Sequence, residues 1–306
     1  MYAKLHAVAR QVGTVIVGKD LQIRQALTCL LAGGHLLVED VPGVGKTTLS
    51  HALAISLGLQ FNRIQFTSDL LPADVAGISI YEREKNGFVF HPGPIFTQVL
   101  LADEINRATP KTQSGLLEAM EERQVSADGV TRPLPEPFFV IATQNPTHQI
   151  GTFPLPESQL DRFLMCLSLG YPDAAAERAL LMGEDRRALL KTLPAAMTPA
   201  ELATAQRGLR DIHTSAALID YIQALAQASR QNGSFAEGLS PRAALALVQA
   251  ARAWAALEGR DHVIPEDVQA VLVPVCAHRL RPLKSAHGVA LASRDLVLQL
   301  QQSVPV

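Results

Sequence analysis

The spacing of hydrophobic and polar residues divides the chain into two parts. From about residue 30 to residue 170, short apolar runs rich in β-forming residues alternate with helical stretches, which is the pattern of a parallel sheet covered by helices. These runs are HLLVED, FNRIQF, QVLLADE, FFVIATQN and FLMCLSL. From about residue 195 the strand signals stop, and helical periods rich in Ala and Leu take over. We therefore predict an α/β domain followed by an all-helical domain.

Helix start and stop signals locate the helices of the second part. The segment TPAE (198–201) combines an N-cap, a first-turn proline and a capping-box glutamate. Similar signals predict helices at 216–230, at 240–259, from residue 264 onward and at 293–302. The Asn232-Gly233 pair predicts a left-handed end for the helix that precedes it. The predicted domains are residues 1–191 and 192–306, and the predicted helix of 173–191 could belong to either one.

Composition and charge narrow the class of protein. Of 306 residues, 48% are hydrophobic and 18% are charged, which is typical of a packed globular protein and excludes disorder as the main state. The net charge of -2 lacks the basic excess of a domain that neutralises phosphate backbones, so nucleic acid is an unlikely partner. No apolar run approaches the roughly 20 residues that span a bilayer, and the N-terminal segment does not resemble a secretory signal. We expect no membrane insertion.

The number and spacing of the cysteines indicate the redox environment in which the protein is expected. Cys29, Cys166 and Cys276 are far apart, with no CxxC pair and no metal-type spacing to histidine. Neither a disulfide framework nor a zinc site is therefore predicted. A reducing, cytoplasmic location is expected.

A candidate phosphate-binding loop follows the first apolar run. The segment EDVPGVGKTTL (39–49) lies between a predicted strand and a predicted helix, as Walker A loops do. Its glycines allow successive backbone N–H groups to surround a phosphate, and the helix N-terminus adds partial positive charge. Lys46 is predicted to reach the β- and γ-phosphates, and the Thr47 hydroxyl to coordinate Mg²⁺. The strict pattern requires glycine where this chain has Asp40, so its first position is missed.

Two further predicted strands end in polar side chains. Asp103 and Glu104 end the run QVLLADE; the first could hold Mg²⁺ and the second could act as general base for an attacking water. Asn145 ends another strand, and its amide could bind both a phosphate and that water without adding charge. Simpler interpretations stay open, because an Asp-Glu pair can cap a turn and Asn-Pro commonly starts one.

Seven stretches of the chain are more specific than a lone Walker motif. They are VGKD (17–20), EDVPGVGKTTL (39–49), FTSDLLPADVAG (66–77), LLADEINRATPKTQSGLLEAMEERQV (100–125), ATQNP (142–146), LPESQLDRF (155–163) and LSPRA (239–243). Together they resemble the MoxR group of AAA+ ATPases, over nearly the whole chain. The resemblance implies an α/β fold, namely an AAA+ P-loop αβα core with a parallel sheet, followed by an all-helical lid domain. It also implies a homo-oligomeric ring, usually a hexamer, in which a neighbour completes each site.

The same resemblance implies a role for individual residues. Asp103 and Glu104 match the Walker B pair, and Asn145 matches the first sensor. Arg162 matches an arginine finger, and Arg242 matches the second sensor of the lid. The cofactors implied are ATP and Mg²⁺, with Thr47 and Asp103 on the metal. The residues implied in nucleotide binding, besides Arg242, are Val17, Gly18, Asp40, Val41, Pro42, Gly43, Val44, Gly45, Lys46, Thr47 and Thr48.

Without the resemblance, the residues alone do not decide the roles of Arg162 and Arg242. Arg162 follows an aspartate and could instead form a surface link with it. Arg242 lies in the first turn of a predicted helix, where the macrodipole disfavours a cation, so it needs a partner such as a phosphate. Whether it serves its own site or a neighbour's stays open. Arg107 and Arg123 are rival candidates for a phosphate contact.

Two segments resemble the inserts of the helix-2-insert branch of AAA+ proteins. Residues 77–92 predict a β-hairpin with Asn86-Gly87 as its turn, and residues 124–135 predict a second with Asp128-Gly129 as its turn. In the family such hairpins project from the ring and touch the substrate. The simpler interpretation is that they only extend the surface. No metal or catalytic role is assigned to His91 in the first insert.

The leading functional prediction is an ATP-hydrolysing MoxR-type ATPase that remodels or matures a protein partner. By the resemblance, that partner is a protein with a von Willebrand A domain. A nucleic-acid motor of the helicase-related clade is less favoured, because basic and acidic residues balance in the hairpins. A metal-chelatase motor subunit also stays open. A regulator that hydrolyses nothing is disfavoured, because it would have no need of a base such as Glu104.

Overall fold

The structure is a computed structural model and describes residues 2–145, 151–183, 186–283 and 292–305. Its strands are β1 (His35–Glu39), β2 (Phe61–Gln65), β3 (Gly77–Glu82), β4 (Gly87–Pro92), β5 (Val99–Asp103), β6 (Gln124–Ala127), β7 (Val130–Pro133), β8 (Phe139–Gln144) and β9 (Phe163–Leu167). Its α-helices are α1 (Tyr2–Val15), α2 (Asp20–Leu31), α3 (Lys46–Ser56), α4 (Pro72–Ala76), α5 (Pro110–Glu122), α6 (Glu157–Leu160), α7 (Ala174–Met182), α8 (Arg186–Thr192), α9 (Pro199–Gly208), α10 (Ala216–Gln231), α11 (Pro241–Leu257), α12 (Pro265–Cys276) and α13 (Ser293–Ser303).

The five predicted apolar runs form one parallel sheet in the order β2-β5-β8-β1-β9. All side chains of β5 and β8 are buried, because helices cover the sheet on both sides. In a parallel sheet the carboxyl ends of all strands meet at one edge. The loops after β1, β5 and β8, which carry the candidate site residues, therefore leave the sheet side by side.

Alternate residues of each strand contribute to two hydrophobic cores. Leu36 and Val38 of β1 face a core that contains α1, α2, α3 and the C-terminal helices, whereas Leu37 faces a core that contains α4 and α5. This three-layer arrangement of helices, sheet and helices agrees with the predicted αβα core. The C-terminal helices share the first core, so the lid packs firmly against one face of the ATPase-like domain.

The helical lid largely follows its sequence signals. Thr198 caps α9 and forms the predicted capping box with Glu201, and Ser240 caps α11 ahead of Pro241. The predicted left-handed end of α10 is wrong: Asn232 has φ −77° and ψ 113°, because the chain leaves this helix in an extended conformation. The predicted helix of 173–191 is two helices, α7 and α8, so the proposed boundary at residue 191 falls at the end of α8 and stays a prediction.

Both predicted hairpins are present, with one difference in a turn. Strands β3 and β4 pair from Gly77↔Pro92 to Glu82↔Gly87, so the loop is residues 83–86 and Gly87 belongs to the strand. Asn86 closes this four-residue loop with φ +47°, and the expected two-residue Asn-Gly turn is not formed. Asp128 and Gly129 do form the two-residue turn between β6 and β7, both with positive φ.

Candidate active site

The phosphate-binding loop connects the end of β1 to the start of α3. Residues 40–45 form the loop, and α3 begins at Lys46, within the segment 39–49. Gly43 and Gly45 have φ values of +88° and +98°, a backbone region that residues other than glycine rarely adopt. The loop thus aims the N-terminus of α3, with its free N–H groups, into the space above the sheet edge.

Asp40 explains the departure from the strict Walker A pattern. Its buried carboxylate accepts hydrogen bonds from the backbone N–H of Val41 at 2.8 Å and of Gly170 at 2.6 Å, and from the Ser168 hydroxyl at 3.0 Å. Asp40 therefore ties the loop to the segment after β9, a structural role that a glycine could not supply. Its placement supports the loop rather than a ligand.

Lys46 lies buried beneath the loop. Its ammonium donates to the backbone carbonyls of Asp40 and, at 3.3 Å, Val41, and to Asn145 Oδ1 at 3.1 Å. Burial lowers the pKa of Lys46, while the charges of Asp40, Asp103 and Glu104 oppose that shift. The lysine is thus held at the cavity by partners that a phosphate could replace or join.

Asp103 ends β5 and is bound from two sides. Thr143 donates its hydroxyl proton to Asp103 Oδ1 at 2.5 Å, and Arg63 donates from Nε at 3.1 Å and Nη2 at 2.7 Å to Oδ2. Arg63 comes from β2, the strand that pairs with β5. Both oxygens of the carboxylate are therefore oriented before any ligand binds.

Glu104 is held in an unusual backbone conformation. It has φ +57° and ψ +47°, the left-handed region, which costs about 1–2 kcal/mol for a residue with a side chain. Its N–H donates to Thr143 Oγ1 at 2.9 Å, and its carboxylate accepts a hydrogen bond from Asn145 Nδ2 at 3.2 Å and forms an ion pair with Arg107, whose Nε lies 3.1 Å from Oε2. Strain of this kind, held by specific hydrogen bonds, is typical of functional sites.

One cavity of about 330 Å³ brings most of the predicted residues together. It is lined by Pro42, Gly43, Gly45, Lys46, Thr47, Thr48, Arg63, Gln65, Asp103, Glu104 and Asn145. A buried ammonium, a guanidinium, two carboxylates, two amides and two hydroxyls thus face one space beside a helix N-terminus. That donor and acceptor set fits a nucleotide phosphate with a hard divalent cation, which prefers oxygen ligands.

Some predicted residues lie outside this cavity. Gly18 has φ +72°, and a side chain there would approach the Ala176 Cβ to 2.8 Å, so its role in the structure is to pack against α7. Val17 is half-buried next to Ile16, whose side chain lies near Gly45. The roles proposed for Val17 and Gly18 stay predictions. Pro146 of the ATQNP stretch lies outside the described residues.

Arg162 and Arg242 meet at a different place. Arg162 Nη2 lies 3.2 Å from Glu121 Oε2, and Arg242 Nη2 lies 2.6 Å from Glu121 Oε1. The simple link between Arg162 and the preceding aspartate does not form, because Asp161 binds Arg279 instead, at 2.7 Å. The two arginines that sequence alone kept apart thus share one carboxylate.

The register of the sheet places that carboxylate opposite the phosphate loop. His35, the first residue of β1, pairs with Phe163, so Arg162 precedes the amino end of β9. The His35 imidazole also binds the backbone carbonyl of Met120, next to Glu121. The phosphate loop follows the carboxyl end of β1, about 16 Å away for five residues at roughly 3.3 Å each. Arg162 and Arg242 therefore face away from the phosphate loop of their own chain.

The rival arginines differ from each other. Arg107 binds Glu104 and so lies beside the candidate site. Arg123 donates to the carbonyls of Phe138 at 3.0 Å and Gly33 at 2.9 Å, and burial lowers its pKa. Arg123 thus ties the end of α5 to the amino edge of the sheet, and its candidacy for a phosphate contact is wrong for its own site.

Sequence reasoning missed two residues that organise the site. The Thr143 hydroxyl accepts from the Glu104 N–H and donates to the Asp103 carboxylate, and Arg63 donates to Asp103 as well. Thr143 lies within an apolar run and was not singled out, although its position two residues before Asn145 could have indicated that it lies near the site. Arg63 carried no signal of its own, since a charged residue on an edge strand is commonly solvated.

Fold and site together define a P-loop ATPase of the AAA class with a helical lid. Residues 35–165 match the model of the ATPase family associated with various cellular activities (AAA), and residues 227–298 match an AAA lid domain. The chain belongs to the MoxR family of AAA+ ATPases, as shown by its similarity to the chaperone MoxR1 of Mycobacterium tuberculosis. The identity is 42%, over 91% of this chain and 76% of that protein.

Two further proteins resemble the chain over almost its whole length. A Bacillus subtilis protein, YeaC, is 44% identical and covers 100% of this chain, which in turn covers 96% of YeaC. The crystal structure of a candidate ATPase from Cytophaga hutchinsonii superposes with a TM-score of 0.89 at 36% identity, covering 99% of this chain and 95% of that one. The family consists of ATPases with chaperone-like members, so nucleotide binding and a chaperone-like ATPase function follow at that level.

Proposed function

We propose that this protein hydrolyses ATP with Mg²⁺ and uses the energy to remodel or mature a protein partner. The observation that carries the proposal is the hydrogen-bonded path from Lys46 through the Asn145 amide to Glu104, within one cavity beside Asp103. A cation for phosphate, an acidic pair and an amide between them are the groups that phosphoryl transfer to water requires.

Each residue has a distinct task in this proposal. The loop amides and Lys46 bind the phosphates, and Thr47 and Asp103 would hold Mg²⁺, which neutralises charge on the phosphoryl oxygens when bound. Glu104 accepts a hydrogen bond from Asn145 and offers its other oxygen to a water as general base. Arg107 Nε lies 3.1 Å from that oxygen, and the carboxylate keeps a further lone pair for the water.

We propose further that the site is completed by a neighbouring copy in a homo-oligomeric ring, a hexamer by family resemblance. Phosphoryl transfer is accelerated by a fixed, always-charged guanidinium at the phosphate. Arg162 and Arg242 are suited to supply it, yet both lie at the sheet edge opposite their own phosphate loop. A neighbouring chain is the acceptor consistent with that placement, and this favours action of Arg242 in a neighbour's site.

The hairpins favour a protein over a nucleic acid as the partner. Lys85 pairs with Glu82 at 2.8 Å, and the Arg132 guanidinium lies 3.7 Å from the centroid of the Phe90 ring while donating to carbonyls of its own hairpin. Cations held in this way are poorly placed to track a phosphate backbone. The first hairpin instead exposes apolar side chains, namely Ile78, Ile80, Tyr81 and Phe88.

The finer identity of the partner rests on family resemblance. We propose a protein with a von Willebrand A domain, and exposed apolar surface on the first hairpin is compatible with binding to protein. The alternative, a motor subunit of a metal chelatase, would have a similar ATPase core but a different partner. The partner is therefore what the experiment must identify.

Glu104→Gln tests the proposal directly. This variant keeps the shape of the side chain but removes the base, so we expect unchanged ATP affinity and a loss of most turnover. In affinity capture with ATP, it should retain a von Willebrand A protein, whereas Lys46→Ala, which lacks the phosphate contact, should not. Retention of DNA would favour the nucleic-acid motor, and unchanged turnover would refute the role of Glu104.

A further inference from the structure

Glu121 lies at the end of α5 and binds two arginines at once. Its Oε1 is 2.6 Å from Arg242 Nη2 and its Oε2 is 3.2 Å from Arg162 Nη2, so each oxygen receives one guanidinium. Arg162 precedes β9 in the ATPase core, whereas Arg242 opens α11 of the lid. Glu121 thus connects the two domains through the pair of residues proposed to contact a neighbour's nucleotide.

A second carboxylate, that of Asp161 in the ATPase core, lies near Arg242 and binds an arginine of the lid. Asp161 lies 3.9 Å from Arg242 and accepts a 2.7 Å hydrogen bond from Arg279, which is almost fully buried and also donates to the backbone of Phe163. Three arginines therefore meet two carboxylates, which leaves one net positive charge in the group. That excess suits an approaching anion, while the buried Arg279 keeps the group in place.

The exposure of these residues argues against a purely stabilising role. Arg242 is 54% exposed and Glu121 37%, and exposed ion pairs contribute only about 0–1 kcal/mol to folding. Two guanidinium groups on one carboxylate also repel each other, a cost that stability alone does not explain. The hydrogen bond from Arg242 lowers the pKa of Glu121, as expected for a carboxylate that faces two guanidinium groups.

We propose that Glu121 is a positioning residue that holds Arg162 and Arg242 in one constellation for the phosphate of the neighbouring subunit. This inference rests on the proposed function, namely on a site shared between copies. Glu121 touches no nucleotide itself. It fixes the distance between two guanidinium groups, so that both reach the same phosphoryl group without an ordering cost at the moment of transfer.

Glu121→Gln tests the inference in the assembled protein, with Glu118→Gln, one turn earlier on the same helix, as the matched control. The amide can bind an arginine only through one oxygen and adds no charge, so the pair loosens. We expect kcat to fall about tenfold or more, a part of the 10³–10⁵ that an arginine finger contributes. Binding of a fluorescent ATP analogue should be unchanged in both variants, which also shows that they fold.

Mixing experiments identify the subunit on which Glu121 acts. Glu121→Gln mixed with Lys46→Ala should regain activity, because hybrid sites join the intact phosphate loop of one chain to the intact arginine pair of the other. Glu121→Gln mixed with Arg162→Ala should regain none, since both defects lie on the same donor surface. The reference mixture is Arg162→Ala with Lys46→Ala.

The outcomes separate this inference from the proposed function. If the reference mixture regains activity but Glu121→Gln with Lys46→Ala does not, the shared site stands and the role of Glu121 is refuted. A wild-type kcat for Glu121→Gln refutes it as well. If even the reference mixture regains nothing at any ratio, the shared site fails, and the inference that rests on it fails too.

Discussion

Arg63 binds Asp103 through two of its guanidinium nitrogens, Nε at 3.1 Å and Nη2 at 2.7 Å from the same carboxylate oxygen. The arginine comes from β2 and the aspartate from the paired strand β5, so adjacent strands of the sheet bring them together. Asp103 is the residue proposed to hold Mg²⁺ with Thr47. The Arg63 guanidinium therefore occupies Asp103 Oδ2, an oxygen that could otherwise bind a metal ion directly or through a water.

Removing the Arg63 guanidinium should lower the Mg²⁺ concentration that ATP hydrolysis requires. Arg63→Gln leaves Asp103 without its cation, and we expect the free Mg²⁺ concentration for half-maximal hydrolysis, at saturating ATP, to fall about 3- to 10-fold, or roughly 0.7–1.4 kcal/mol. Lys191→Gln, which removes a cation from the cavity next to this site, is the control and should leave that concentration unchanged. An unaltered magnesium dependence in Arg63→Gln would contradict the competition.

Thr143 should affect turnover rather than nucleotide affinity. Its hydroxyl accepts from the Glu104 N–H at 2.9 Å and donates to Asp103 at 2.5 Å, so Thr143→Val releases both acidic residues at constant shape. We expect kcat to fall about 10-fold or more, with Thr143→Ser close to wild type, because the hydroxyl is the group that acts. ATPase kinetics and nucleotide titration measure the two quantities separately.

A second buried threonine provides the control for that experiment. Thr97 donates to the Gln60 carbonyl at 3.0 Å, away from the cavity, so Thr97→Val should lower the free energy of unfolding and leave kcat unchanged. If Thr97→Val and Thr143→Val lower kcat equally, the effect of Thr143 is general destabilisation and not orientation of the acidic pair.

Asp40→Gly makes the loop match the strict Walker A pattern, and we expect it to weaken the protein nonetheless. The substitution removes the charged acceptor of the half-buried Gly170 N–H and of the exposed Ser168 hydroxyl, and hydrogen bonds to charged groups contribute about 1.5–3 kcal/mol. Urea unfolding measures the loss. A glycine variant as stable as the wild type would mean that the tie between this loop and the segment after β9 contributes nothing.

Histidine burial makes stability fall in mild acid. Burial, with Arg123 nearby, lowers the pKa of His35 to about 4, so the folded protein keeps it neutral while the unfolded chain protonates near pH 6.5. Its contribution is complete above pH 6.5 and is lost as the pH falls toward 4, at about 1.4 kcal/mol per pH unit. His278, whose pKa burial lowers to about 3, acts in the same direction.

The variant His35→Gln isolates this effect. Between pH 7.5 and pH 5.0, the stability advantage of wild type over the variant should shrink by about 2 kcal/mol, the share lost between pH 6.5 and 5.0. Urea unfolding of both proteins at the two pH values gives the number. If the advantage is the same at both, protonation of His35 in the unfolded chain is not what weakens the fold.

No helix in the described ranges is long and apolar enough to cross a membrane. Helix α12 contains Pro274, and its apolar residues Val268, Val271 and Leu272 are buried in the lid. The three cysteines are free, and the described residues contain no cluster suited to a metal.

Local chemistry made much of the fold readable from the sequence. The capping box of Thr198 and Glu201 and the turn at Asp128-Gly129 each involve neighbours in the chain, so their geometry depends on few distant contacts. The end of α10 was misread for the opposite reason. Asn232 permits a left-handed end, but its backbone is extended: its Oδ1 accepts from the Ser234 N–H at 3.0 Å, and the next residue, Phe235, pairs with the distant Pro282.

The sequence by itself determined the succession of strands and helices along the chain and the chemistry of the phosphate loop. Hydrophobic periodicity, helix caps and glycines each depend on residues only a few positions apart. Tertiary structure decided which distant side chains meet. Thr143 joins Asp103 to Glu104, and Glu121 joins Arg162 to Arg242, across separations of about 40 to 120 residues. Such pairs depend on the register of parallel strands and on how α5 and the lid pack, and these are set by the whole buried core rather than by any local pattern.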